Sequence, residues 1–123
     1  MNEKIKDFYD LEAWKHGHEF VVDVYRTTKE FPKHEVYGIV SQLRRAAASI
    51  TSNIAEGFSR YSYKDKVRFY YNSRGSISEC QNCILISRDI GYVNNDQATE
   101  LLIKADKIRQ ILNGLIRSTE ARA

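Results

Sequence analysis

The chain has 123 residues, of which 42% are hydrophobic and 28% charged, with a formal net charge of +3. These values are typical of one soluble domain with a single modest core, and the charge favours anionic partners only weakly. The N-terminus lacks the apolar run of a signal peptide, and the longest apolar stretch, Cys83–Ile86, is far below the ~20 residues of a membrane span. We therefore expect a cytoplasmic protein with no membrane partner and with reduced cysteines.

The first predicted helix runs from about Asp10 to Lys29, with Asp10 as its N-cap and Phe31-Pro32 ending it. Its predicted apolar face consists of Leu11, Trp14, His18, Val21 or Val22, Tyr25 and Thr28. The second helix is predicted to start near residues 33–35 and to end at Gly57, a residue type favoured just after a helix. Its predicted apolar face consists of Val36, Val40, Leu43, Ala47, Ile50 and Ile54.

The third helix follows Ser62, which stands three residues before Asp65 in a variant of the capping box, and reaches Ile90, with Gly91 closing it. Tyr70, Ile77 and Ile84 form its apolar line. An adjacent line of mostly small side chains permits close approach of a neighbouring helix: Phe69, Ser73, Ser76, Cys80, Cys83 and Ser87. Asn94 or Asn95 caps the fourth helix. The predicted inward positions there are Ala98, Leu101 or Leu102, Ala105, Ile108, Leu112 and Leu115.

Short connections between long amphipathic helices place consecutive helices side by side and antiparallel. The sequence therefore predicts an all-α fold, an antiparallel up-down-up-down four-helix bundle. Residues 1–123 form one domain, with frayed termini at about 1–9 and 118–123.

The second helix carries a polar stripe beside its apolar face. This polar stripe consists of Gln42, Arg45, Ser49, Asn53 and Glu56, which recur at intervals of three and four residues. Such groups form good hydrogen bonds at short range, so the stripe favours an interface between subunits. In the alternative interpretation, the stripe satisfies polar groups inside one chain where two helices cross.

A run of cations and aromatic residues lies between residues 60 and 74. Its cations, against the single anion Asp65, are Arg60, Lys64, Lys66, Arg68 and Arg74, interleaved with tyrosines that include Tyr61 and Tyr63. Cations contact phosphates, and aromatic rings stack on unpaired bases, so the run indicates an RNA or DNA contact. Alternatively, the aromatic residues are core and the cations decorate a solvated helix start. Four further cations could extend the patch: Arg44, Lys104, Lys107 and Arg109.

Other candidate chemistry is weak. Cys80 and Cys83 are spaced as a metal half-site or a redox pair, but zinc needs four ligands and the pair falls well inside a helix, so we interpret both as core residues. His16 and His18 are two residues apart and do not share a helix face, and His18 is expected to be at least half-buried. We predict no catalytic residue, no metal and no cofactor.

The segment Gln42–Gly57, preceded by Phe31-Pro32, Glu35, Tyr37 and Gly38, resembles the four-helix-bundle proteins encoded in intervening sequences of bacterial 23S ribosomal RNA genes. The resemblance extends to a further set of positions: Leu11, Trp14, Arg60, Ser62, Gly75, Ser76, Glu79, Gly91 and Tyr92. It implies a bacterial cytoplasmic protein that forms a closed homo-oligomeric ring, usually a homopentamer, with no known catalytic activity. The chain is more distantly similar to accessory proteins of diversity-generating retroelements, which act with a reverse transcriptase and structured RNA.

The chain departs from this family's pattern in its third helix. Relatives usually carry alanine or another apolar residue where Tyr71, Asn72 and Ser73 stand, and aliphatic residues where the two cysteines stand. The third helix is therefore expected to pack differently from its relatives.

These observations predict a non-catalytic, ring-forming scaffold that binds structured RNA, or DNA, through exposed cations. The alternative is a protein-interaction factor that supports a reverse transcriptase or another locally encoded partner.

Overall fold

The computed structural model describes residues 4–123 and contains four long α-helices: α1 (Glu12–Thr28), α2 (Ile39–Ser59), α3 (Tyr63–Asp89) and α4 (Asn95–Glu120). Two short 3-10 helices, Phe8–Asp10 and Lys33–Glu35, precede α1 and α2. Consecutive helices pack side by side, and α4 closes back on α1. The prediction of an all-α four-helix bundle is confirmed.

The core runs along the centre of the bundle and takes residues from every helix. Its largest fully buried side chains are Tyr70, Phe20, Leu43, Ile50, Ile54, Ile77, Ile84, Ile108 and Leu112. The predicted apolar faces of α2, α3 and α4 match this core, except that Val36 is exposed and Ile116 and Thr119 extend the buried face of α4. The small side chains predicted along α3 are also buried, apart from the half-buried Phe69.

The predicted inward face of α1 is rotated from the observed one. The buried residues of α1 are Ala13, Gly17, Phe20, Val24 and Thr28. His18 is exposed, and its ring stacks on Trp14 with centroids 4.7 Å apart. A Cβ on Gly17 would lie 3.0 Å from Cγ2 of Thr51, so α1 approaches α2 closely at that point. Close approach requires small residues on the contact line, and the larger Trp14 therefore lies beside it.

The two ends of α2 also differ from the prediction. The residues predicted to start α2 form the separate 3-10 helix, and α2 begins at Ile39, whose backbone N–H lies 3.3 Å from Oε1 of Glu35. Gly57 is not a cap, because α2 continues through it to Ser59 and Gly57 is buried. A Cβ there would lie 2.8 Å from Cε1 of Tyr70. The glycine is needed for close packing between α2 and α3.

The remaining helix ends agree better with the sequence. Ser62 Oγ accepts the Asp65 N–H at 3.1 Å and caps α3, whereas Asp10 is not the N-cap of α1 and instead accepts backbone N–H groups from the preceding turn. Gly91, with φ of +88°, follows α3, and Asn94 caps α4. Helix α4 continues to Glu120, within the segment predicted to fray. Residues 1–3 of the other segment lie outside the described residues, and fraying of either terminus stays a prediction.

Candidate nucleic-acid interface

One end of the bundle gathers the connection between α2 and α3 and the end of α4. A surface depression of about 500 Å³ lies between them, lined by Tyr61, Ser62, Tyr63, Lys64, Arg122 and Ala123. We use the name basic end for four exposed residues that line it and for Arg68, which lies one helical turn after Lys64: Tyr61, Tyr63, Lys64, Arg68 and Arg122. The fold thus places residues from two distant parts of the sequence around one hollow.

Two of the predicted binding cations stabilise the fold at this end. The Arg60 guanidinium lies 3.1 Å from the Glu56 carboxylate and 4.6 Å from the centroid of the Phe69 ring. The Lys66 ammonium donates a hydrogen bond of 2.6 Å to the carbonyl of Phe58 in the last turn of α2. A cation at that position satisfies a carbonyl that has no partner within the helix. Arg60 and Lys66 therefore tie the end of α2 to the start of α3.

Two other predicted cations, Arg68 and Arg74, differ in how accessible they are to a binding partner. Arg68 lies 3.7 Å from Asp65 at a largely exposed site, and its guanidinium lies 4.7 Å from the centroid of the adjacent Phe69 ring. Arg74 donates a 3.0 Å hydrogen bond to Asn113 and lies over the Tyr71 ring, so it links α3 to α4. Arg68 remains accessible to a phosphate, whereas Arg74 belongs to the packing between helices.

Tyr61 and Lys64 are the predicted binding residues least involved in the fold. The Tyr61 side chain is 100% exposed, and Lys64 is exposed with no hydrogen bond or ion pair to residues 4–123. Tyr63 is 38% exposed at the first position of α3. An aromatic side chain that buries nothing in its own chain contributes nothing to the core, so Tyr61 is available to a partner.

Arg122 is a member of the basic end that the sequence did not indicate. Its guanidinium lies 3.4 Å from the Tyr63 hydroxyl and 5.8 Å from the centroid of that ring. The spacing of Leu112, Ile116 and Thr119 continues the helical period of α4 and could have predicted that the helix reaches Glu120. That extension is what carries Arg122 to the start of α3.

The cations proposed to extend the patch lie on other faces. Arg44 donates to the Thr28 hydroxyl at 2.8 Å and packs over the Tyr25 ring. The Lys104 ammonium lies 2.5 Å from the Asp23 carboxylate, and Arg109 donates to Gln81 at 2.7 Å. These contacts join neighbouring helices. Lys107 is exposed but lies along α4, beside Ile103.

The residues in the middle of the polar stripe form hydrogen bonds within the chain. Asn53 donates to the Ser49 hydroxyl at 3.0 Å, and that hydroxyl accepts from Ser76 of α3 at 2.9 Å. Ser73 also donates to the carbonyl of Ile50 at 2.8 Å. These are the intramolecular contacts of the alternative interpretation. The outer members of the stripe, Gln42, Arg45 and Glu56, are exposed.

The outer face of α3 lies beside this crossing and is partly apolar. Gly75, Glu79, Ile86 and Ile90 recur at intervals of four and seven residues, so they share one face, and all four are exposed. A Cβ on Gly75 would meet no atom within 4 Å, which means that packing within the described chain does not require glycine there. Ile86 and Ile90 are 42% and 53% exposed.

The two cysteines considered as a metal or redox site are residues of the packed core. Cys80 and Cys83 are buried and unpaired, and burial raises the pKa of the Cys80 thiol to about 12. Among residues 4–123, no three His, Cys, Asp or Glu side chains are gathered where they could hold a metal. No helix in that same part of the chain is long and apolar enough to cross a membrane.

These features define the class: an all-α four-helix bundle protein with a basic and aromatic end. The chain belongs to the family of 23S rRNA-intervening sequence proteins, whose family model matches residues 9–114, and this confirms the resemblance found in the sequence. A crystal structure at 1.70 Å of a protein of unknown function from the S23 ribosomal protein family of Bacteroides thetaiotaomicron has the same fold. It is 18% identical, with a TM-score of 0.76 over 85% of this chain and 97% of that chain. No curated protein matches. The more distant similarity to retroelement accessory proteins stays a prediction.

Proposed function

We propose that the protein is a non-catalytic, cytoplasmic, homo-oligomeric scaffold that binds structured RNA through the basic end. The observation that carries this proposal is the full exposure of Tyr61 beside Lys64 and Arg122. Cations without anionic partners attract phosphates, and a ring that is free on both faces can stack on an unpaired base. RNA is favoured over duplex DNA because a stacking ring needs a base that is not already stacked.

Self-association is the second part of the proposal, with the outer face of α3 as a contact surface and the exposed polar stripe beside it. Glycine inside a helix costs about 0.5–1 kcal/mol relative to alanine, and nothing in the described chain occupies the space over Gly75. Close approach of another copy accounts for the residue. The family resemblance implies five subunits. A ring repeats a weak basic end several times, which raises avidity without any new kind of contact.

RNA binding is tested with a variant that removes charge without disturbing the fold. Lys64→Gln/Arg68→Gln changes two exposed cations and leaves Arg60 and Lys66 in place. Each lost phosphate contact lowers the slope of log affinity against log salt by about 0.7–0.9, so two lost contacts lower it by about 1.5. Fluorescence anisotropy with a labelled RNA hairpin at several salt concentrations measures this slope.

Lys29→Gln/Lys107→Gln is the matched control, because it removes the same charge from exposed lysines elsewhere on the bundle. The control should retain the wild-type slope. Equal affinities and slopes for the two double variants would contradict the assignment of the basic end.

Self-association is tested by light scattering coupled to gel filtration. We expect Gly75→Gln to dissociate the oligomer, because a long side chain would occupy the space left for the neighbouring copy. Gly114→Gln makes the same change in α4, where a Cβ would also meet no close contact within the described chain, and should leave the mass unchanged. A monomeric wild type, or a Gly75→Gln oligomer of unchanged mass, would contradict this part of the proposal.

A protein-interaction factor for a reverse transcriptase or another locally encoded partner is the second candidate function. The observation that favours it is the partly apolar outer face of α3, with Ile86 and Ile90 exposed. A polymerase gene beside this one, followed by co-purification of its product with the wild type but not with Ile86→Gln, would favour this function over RNA binding alone.

A further inference from the structure

A second cavity adjoins the basic end and reaches into the bundle. Its volume is about 390 Å³, within the range of roughly 300–1,000 Å³ that small-ligand pockets occupy. Its wall is formed by Ile5, Leu11, Phe58, Tyr63, Lys66, Tyr70, Leu115, Ser118, Thr119 and Arg122. Tyr63 and Arg122 also line the depression on the surface, so the two hollows share a rim. The inner cavity combines an apolar wall with cations at its edge.

One residue that lines this cavity, Tyr70, has a hydroxyl without a hydrogen-bond partner among the described residues. Tyr70 is 2% exposed, and its hydroxyl forms no hydrogen bond with residues 4–123. Among those residues, the only side-chain nitrogen or oxygen that is both fully enclosed and unpaired is Nε of Arg60. The Tyr70 hydroxyl is therefore not fully enclosed, and the cavity that Tyr70 lines is the space open to it. A hydroxyl that faces this space and has no protein partner among the described residues can form a hydrogen bond with a ligand that enters the cavity.

The rim supplies charge of one sign. The Lys66 ammonium uses one donor on the carbonyl of Phe58 and has two more. The Arg122 guanidinium makes one long contact with the Tyr63 hydroxyl and has its other donors free of residues 4–123. Among residues 4–123, no acidic side chain lines the cavity. An anionic group at the rim and a flat, largely apolar body inside would satisfy this arrangement.

We propose that this cavity binds one nucleoside monophosphate unit, with its base inside against Leu11, Phe58 and Leu115 and its phosphate on Arg122 and Lys66. The Tyr70 hydroxyl hydrogen-bonds to the edge of the base, and the Tyr63 ring flanks the entrance. The inference rests on the proposed RNA binding and deepens it, because the ligand is an unpaired nucleotide turned out of a structured RNA. A free mononucleotide offers the same chemistry, and the experiment separates the two sources.

The test compares Tyr70→Phe with wild type in the full chain. The variant keeps the ring that packs on Gly57 and removes only the hydroxyl, so folding should be unaffected. Tyr25→Phe is the matched control, because Tyr25 lies near the end of α1, far from Leu11, and its exposed hydroxyl forms no hydrogen bond with residues 4–123. The first arm measures anisotropy with a 12-nucleotide single-stranded RNA and with a fully paired RNA duplex. The second arm measures saturation-transfer NMR with AMP and with UMP.

Loss of one hydrogen bond should weaken single-stranded RNA binding about five- to tenfold in Tyr70→Phe, without a change in salt slope. Binding of the duplex by Tyr70→Phe should match wild type, and so should both affinities of Tyr25→Phe. Arg122→Gln should lower the salt slope by about one. In the second arm, a signal from AMP or UMP that Tyr70→Phe loses would show that free nucleotides also enter.

Two results overturn the inference, and they differ in what they say about the proposed function. If wild type and Tyr70→Phe bind single-stranded RNA equally and neither contacts a mononucleotide, the cavity is not a nucleotide site, whereas RNA binding stands. If the wild-type oligomer binds neither RNA nor a mononucleotide, both proposals are wrong. A mononucleotide signal that depends on Tyr70, without RNA binding, supports the cavity and contradicts the proposed function.

Discussion

Gly57 offers the sharpest test of the packing between α2 and α3. In Gly57→Ala the new Cβ would lie 2.8 Å from Cε1 of Tyr70 and 3.0 Å from Cβ of Phe69. Carbon atoms in contact prefer about 3.5–4.0 Å, so the two helices must separate or the buried ring must move by more than half an ångström. Overpacking of this kind costs about 1–3 kcal/mol, and the better helix propensity of alanine returns up to about 1 kcal/mol. We expect a net loss of about 1–2 kcal/mol in the free energy of unfolding.

Gly114→Ala is the matched control, because it makes the same substitution within α4, where the nearest heavy atom to a Cβ would be Nη2 of Arg117 at 4.0 Å. Only the propensity gain of about 0.5–1 kcal/mol applies there. The two variants should therefore differ by about 1.5–3 kcal/mol, or roughly 5–12 °C in melting temperature for a domain of this size.

Urea and thermal unfolding, followed by circular dichroism, measure both differences. A concentration series is required because dissociation of an oligomer makes the melting temperature depend on protein concentration. The reasoning is refuted if Gly57→Ala is at least as stable as Gly114→Ala at every concentration, since close approach of Tyr70 would then carry no cost.

Three further predictions concern hydrogen bonds and titratable groups. The hydrogen bond from Tyr92 lowers the pKa of Glu35, so its stabilisation is complete above the ordinary pKa of a glutamate and is lost as the pH falls through the lowered value. Tyr92→Phe should therefore destabilise the protein at pH 7 in urea titrations and have little effect near pH 2. Burial raises the pKa of Cys80 and Cys83, so a thiol reagent at pH 8 should label them only after unfolding, and rapid labelling of the folded protein would be inconsistent with their burial. Ser73→Ala removes a buried hydrogen bond to a carbonyl of α2 and should cost about 0.5–1.5 kcal/mol in urea unfolding, whereas an unchanged midpoint would mean that the bond contributes nothing.

Sequence periodicity predicted three helices better than the first. In α2, α3 and α4 the predicted lines of apolar residues do face the core, although α3 and α4 also carry exposed aliphatic residues such as Ile86 and Ile103. Helix α1 carries two lines at helical spacing, one with Trp14 and Tyr25 and one with Ala13, Gly17 and Phe20. The larger side chains favoured the first line, but the close approach of Gly17 to Thr51 selects the second. Which line faces inward depends on the distance between α1 and α2, and the sequence of α1 alone does not determine that distance.

The candidate site was also predicted only in part from the sequence. The run of cations between residues 60 and 74 was evident, as was the aromatic character of the connection after α2. The sequence did not show which of these cations form contacts within the chain. Arg60, Lys66 and Arg74 each bind a group from another turn or helix. Arg122 had no signal beyond the continued period of α4, because its contact with Tyr63 joins residues far apart in the chain.

The sequence alone was enough to predict the number of helices, the caps at Ser62 and Asn94 and the turn at Gly91, because each depends on residues close to one another in the chain. It also indicated the family, whose characteristic residues can be recognised without knowing which of them are in contact. The tertiary structure decided which cations are spent on packing, why Gly57 lies inside α2, and that Tyr70 and Arg122 share a cavity. These properties depend on distances between helices. Helical periodicity gives the direction in which a side chain points, but it does not identify the residue that the side chain meets on another helix.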